Sequence, residues 1–176
     1  MLFTDLSILT MLHGIAFGGG ALLVLGAALF GLFVIPAPDG PPPSPGQTRA
    51  LSLLMSAGAA LLWLAVLGGT YLVFPPYRAS PPEGLVDLAA YPRSFLLGSP
   101  DTAWLHAFAM EVKEHVPWMA AMLTTAAAFV GVRDRDTFLA DRGVRGVVTA
   151  CIAISFLLAA YAAVLGTFVN KVAPLQ

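Results

Sequence analysis

Charge is what this sequence has least of. Only 11% of its 176 residues are Asp, Glu, Lys or Arg, against about 25% in an ordinary soluble domain. So few charged groups cannot cover a globule in water, so lipid must be part of the solvent. The 9 basic and 10 acidic residues nearly cancel, so the net charge gives no hint of nucleic-acid binding. A single cysteine, Cys151, excludes an internal disulfide. It sits in an apolar run and is expected to be a small buried helix residue. The opening MLFTDLS has no Lys or Arg. A cleaved signal peptide is therefore not expected, and the first apolar run is expected to stay as a helix. Alternating strand patterns are missing as well, which leaves helices as the spanning form.

What is present is apolar: 58% of the residues are hydrophobic and the mean hydropathy is +0.82. Four runs stand out, at about 7–35, 49–74, 101–132 and 144–170. Each can cross a hydrocarbon core of about 30 Å at 1.5 Å per residue. The expectation is an all-α, four-transmembrane-helix bundle forming one domain over 1–176. The run PAPDGPPPSP from Pro36 to Pro45 makes a stiff connection. Pro75-Pro76 is expected to end the second span. Ser99-Pro100-Asp101 has the pattern of an N-cap, a proline at N1 and an acidic first turn.

Arg49, Arg133, Arg135, Arg142 and Arg145 fall on one side; Arg78, Arg93 and Lys171 fall on the other. The richer side is expected to face the cytoplasm. That puts both termini on the periplasmic side of a bacterial inner membrane, with the outer loop 75–99 folded over the helices through Tyr77, Tyr91 and Phe95.

The two halves echo each other. Leu12-His13 in the first span matches Leu105-His106 in the third, and Ala65-Val66-Leu67-Gly68 matches Ala163-Val164-Leu165-Gly166. A duplicated helical hairpin would relate them by a pseudo-twofold axis along the membrane normal. His13 and His106 would then lie at similar depth, about 10–13 Å from their helix starts.

The third span opens DTAWLHAFAMEVKEHVPW. Glu111 and His115 are four residues apart and share a helix face. His106 is about half a turn out of phase with His115, and Met110 lies below His106. Lys113 is expected to pair with Glu114 or to snorkel outward. The charged half is expected to form the outer turns of a long helix or an interfacial segment kinked at Pro117, and beyond Pro117 the run is almost free of charge. Gly14 and Gly18 form a GxxxG pattern, which favours close helix approach.

The stretches GTYLVFPPYR, AYPRSFLL and LHAFAMEVKEHVPW resemble an uncharacterised group of bacterial four-helix membrane proteins. The resemblance implies the fold and no particular activity. The general plan, a small bundle with histidines near one face, is similar to that of membrane b-type cytochromes, a likeness of fold alone. Paired histidines at both membrane faces and a CxxCH motif are both missing.

Three functions are open. The first is an electron-transfer subunit of a respiratory or photosynthetic complex, not an enzyme by itself. It would bind haem b through His13 and His106, or through one of them with Met110 or His115. Its partners would be a periplasmic cytochrome, other membrane subunits or quinol, and Glu111, Glu114 and His115 would carry quinol protons outward or touch the quinone. The second is a cofactor-free accessory subunit of such a complex. The third is a metal-binding or transport protein using Glu111, His115 and His13. The nearly bare midplane, with only Thr124, Thr125 and Ser155, weakens the transport reading.

Overall fold

The computed structural model describes residues 4–175. Four long helices, apolar enough to cross a membrane, form the bundle: α1 (Asp5–Val34), α2 (Pro45–Tyr77), α4 (Pro100–Arg133) and α6 (Arg142–Val172). Two short helices join them, α3 (Pro92–Leu97) in the 78–99 connection and α5 (Arg135–Ala140) between α4 and α6. No strand occurs among the described residues. Each long helix packs on its chain neighbour, and α6 closes the ring against α1.

The helix starts follow the sequence. Ser44 and Gln47 bond each other's backbone amides in a capping box, with Pro45 in the first turn. Helix α2 therefore begins a turn earlier than its apolar run. The Ser99 hydroxyl accepts from the Asp101 amide at 3.3 Å and starts α4 as expected. The Asp141 carboxylate accepts from the amides of Gly143 and Val144 and starts α6.

Prolines were expected to stop α2, yet it continues through Pro75-Pro76 to Tyr77. The preceding turns, Gly69–Val73, are π-helical. There the Phe74 amide donates to the Gly69 carbonyl, and the two prolines, which lack amide donors, fall in the last turn, where the helix is about to end in any case. Pro117 likewise lies inside an unbroken α4.

The core is built from small residues. Ala21, Ala28, Ala120 and Ala121 are fully buried beside Leu25, Met55 and Ile152. The close approaches are at Gly58, where a Cβ would meet Leu25 Cδ2 at 2.9 Å, and at Gly131, which receives the Met55 methyl. Gly14 and Gly18 do not serve this purpose: no atom of another helix lies within 4 Å of a Cβ placed at either. Three hydrogen bonds tie the helices to α4. The Ser52 hydroxyl donates to the Gly131 carbonyl at 2.9 Å, Ser155 to Ala120 at 3.1 Å, and the Trp63 indole to Thr125 at 2.9 Å. Cys151 is a free, partly buried residue against this core.

At the end carrying the 78–99 connection a second apolar cluster joins Tyr77, Leu96, Leu105, Ala109, Met110, Leu165 and Val169. The connection does pack over the helices. Its anchors are Pro92 and Leu96, both fully buried, while Phe95 faces outward.

Candidate functional site

The polar residues of interest fall into three groups at one end of the bundle. The first is centred on His13. It lies in a π-helical segment, Leu12–Gly19, that widens α1 about two turns into the helix. The ring packs against α2 where Gly69 leaves room: a Cβ there would sit 2.7 Å from His13 Cε1. The Ala65 backbone and the Lys113 ammonium are its polar neighbours. His13 Nδ1 is buried without a hydrogen-bond partner. A buried imidazole nitrogen in this state is uncommon and calls for a reason.

Lys113 supplies the other half of this group. It neither pairs with Glu114 nor reaches outward. Its chain runs into the bundle and lies over α6, so that a Cβ on Gly166 would be 3.0 Å from Lys113 Nζ. No carboxylate lies within ion-pair distance of it among the described residues. Pro117 also leaves the Lys113 carbonyl without its usual helical donor. His13, Gly69, Lys113 and Gly166 come one from each long helix: the imidazole lies over one glycine and the ammonium over the other. Sequence spacing held the signal for Lys113. Met110, Ala120, Ala121, Thr124, Ala127, Ala128 and Gly131 form the buried stripe of α4, and Lys113 falls on it at three- and four-residue steps.

The second group surrounds His106. A further π-helical segment, Leu105–Met110, begins at the matching Leu-His pair. The two widened segments therefore start at equivalent points of the sequence echo. Their histidines nevertheless have separate partners. The Arg93 Nε–H points to His106 Nε2 at 3.4 Å, and His106 Nδ1 lies 2.9 Å from the Tyr77 hydroxyl. Arg can only donate, so Nε2 accepts; the proton then belongs on Nδ1, which donates to Tyr77 Oη. Both ring nitrogens are thus occupied by protein groups. Tyr77 itself is 4% exposed, stacked on Phe74 at 6.1 Å between ring centroids. Arg78 lies over the Phe74 ring. Tyr77 and Arg93 come from the end of another helix and from the loop, so no local spacing pointed to them.

The third group is the outward turn of α4. The His115 Nδ1–H donates to the Glu111 carbonyl at 2.8 Å, and the Glu111 carboxylate is 3.8 Å from the same nitrogen. Both side chains are more than half exposed. Glu114 is partly buried on the side of Arg78 and Arg93. Met110 is buried in the apolar cluster with Leu105 and Leu165.

The structure therefore joins His106 to Tyr77 and Arg93, and Glu111 to His115, and sets the Lys113 charge on the side of His13. It does not gather the three histidines. No group of three or more His, Cys, Asp or Glu with metal-site geometry occurs among the described residues. No match to the chain was found among protein-family models, curated proteins or solved structures.

Proposed function

We propose that this chain is a membrane subunit of an electron-transfer complex, respiratory or photosynthetic, and that it contacts a quinone or quinol head group between its helices. The reading is carried by the His13–Lys113 pair. His13 Nδ1 is buried without a hydrogen-bond partner, and the half-buried Lys113 ammonium has no carboxylate within ion-pair distance among the described residues, so the two leave an unfilled set of hydrogen-bonding groups inside a membrane span. Ionisable groups so placed generally serve function. A quinone offers the complement: a flat apolar ring with carbonyl acceptors. The Lys113 ammonium donates to one oxygen. His13 Nδ1 donates to a quinone or accepts from a quinol hydroxyl according to its tautomer. Oxidation of a quinol releases two electrons and two protons. Glu111, Glu114 and His115 on the outward turn suit the protons, and the electrons require a partner subunit or a periplasmic cytochrome.

A second reading is haem b with His13 as an axial ligand, since no side chain holds its ring. It ranks behind the first because His106, the natural second ligand, would have to leave both Tyr77 and Arg93.

Protein purified in detergent and equilibrated with short-chain ubiquinone or menaquinone tests the proposal. Quinone should be retained through gel filtration by the wild type and lost from Lys113→Met and from His13→Ala, with helicity unchanged. No retention by the wild type, or retention unaffected by both substitutions, overturns it. An α-band in the reduced-minus-oxidised spectrum that vanishes in His13→Ala would install the haem reading instead.

A further inference from the structure

At the opposite end of the bundle, α1 and α6 part to leave a groove of about 970 Å³ that opens sideways. One wall is Leu29, Leu32 and Phe33 of α1; the other is Gly146, Ala150 and Ala153 of α6. The large residues against small ones create the gap. Phe33 is 86% exposed and forms its lip. Two arginines close the polar end, where α1 stops and α6 begins. Arg145 donates from NH1 to the Pro36 carbonyl at 2.6 Å and from NH2 to the Leu139 carbonyl at 3.2 Å, and its Nε is buried without a partner. Arg142 donates to the Asp39 carboxylate at 2.6 Å, in a pair open to solvent.

We infer that this groove is a binding site for an anionic phospholipid, with an acyl chain between α1 and α6 and the phosphate at Arg142 and Arg145. The inference is independent of the quinone reading, since it concerns the other end of the molecule. A lateral groove in a spanning bundle meets lipid tails along its apolar length. At its polar end lies the level where headgroup phosphates sit, and there the protein places two guanidiniums. Guanidiniums bind phosphate by paired donors, and basic pockets between spanning helices on the arginine-rich side suit anionic headgroups. Asp39 competes with the phosphate for Arg142 and sets how tightly the lipid is held.

The full-length protein in nanodiscs of mixed phosphatidylglycerol and phosphatidylcholine tests this, with retained lipid read by native mass spectrometry. The wild type should keep phosphatidylglycerol several-fold over phosphatidylcholine. Arg142→Gln should abolish the preference, and Asp39→Asn, which frees Arg142, should raise it. Ala150→Trp should expel lipid of either kind by filling the groove. Equal retention of both lipids by the wild type, or an unchanged preference in Arg142→Gln, overturns the inference. So does a dimer that Ala150→Trp dissociates, since the occupant would then be a second copy of the chain.

Discussion

The His13 imidazole rests against the backbone of Gly69, and a Cβ at that position would fall 2.7 Å from its Cε1. Gly69→Ala must therefore move the ring or part α1 from α2, and we expect a loss of about 1–3 kcal/mol by overpacking. Gly68→Ala is the control, since nothing lies within 4 Å of a Cβ there, and should be neutral or stabilise by up to about 1 kcal/mol, the helical preference for Ala over Gly. Unfolding in detergent compares the two. An equal response would mean that His13 does not occupy this space.

Lys113→Met should raise the melting temperature while removing quinone retention. The substitution removes a half-buried charge that has no carboxylate in ion-pair range among the described residues and keeps the chain's length. A group held for ligand contact and not for stability gives that opposed pair of effects. A lower melting temperature would show that the ammonium has a structural partner.

Tyr77 and His106 should be coupled. Tyr77→Phe removes the hydroxyl that accepts from His106 Nδ1, and should cost about 0.5–1.5 kcal/mol. In a double-mutant cycle with His106→Ala most of that cost should vanish. Additive losses would mean that the hydroxyl acts elsewhere.

Ser52→Ala and Ser155→Ala each delete an interhelical hydrogen bond to α4. Each should destabilise by roughly 0.6 kcal/mol, the mean for such bonds within membrane bundles. Their sum should hold in the double variant, because the bonds join different helix pairs.

The Arg142 guanidinium, by its hydrogen bond, holds the Asp39 carboxyl below its usual value. A lowered acid stabilises the folded chain above the ordinary carboxylate pKa and loses that contribution as pH falls through the lowered one. The pair is exposed, so the effect on stability should be small and weaken with salt. Carboxyl carbon NMR should find Asp39 titrating low in the wild type and returning towards normal in Arg142→Gln.

The architecture was readable because lipid imposes it. Four long apolar runs and the breaks at Pro36–Pro45 and Ser99-Pro100 gave the helices before any packing was known. Boundaries moved where local chemistry extended a helix past its apolar stretch, as at Ser44 and Tyr77. The polar groups were harder. Glu111 and His115 are neighbours along one helix, so spacing was enough. His106 meets residues from another helix end and from the loop, which spacing cannot reveal. Lys113 was misjudged because its acidic neighbours suggested a solvated turn, although its place on the alanine stripe pointed inward. Gly14 and Gly18 had the pattern of a packing motif, but their faces turn away from the other helices.

The Ser52 hydroxyl also lies 3.1 Å from the Thr48 carbonyl of its own helix. That second acceptor bears on biogenesis. Helix α2 is synthesised well before α4, and in the interval the Gly131 carbonyl is not there to meet. With the Thr48 carbonyl in reach, the Ser52 hydroxyl has an acceptor within its own helix before Gly131 is present. The Trp63 indole has no such stand-in: its one partner, Thr125, lies on the other hairpin.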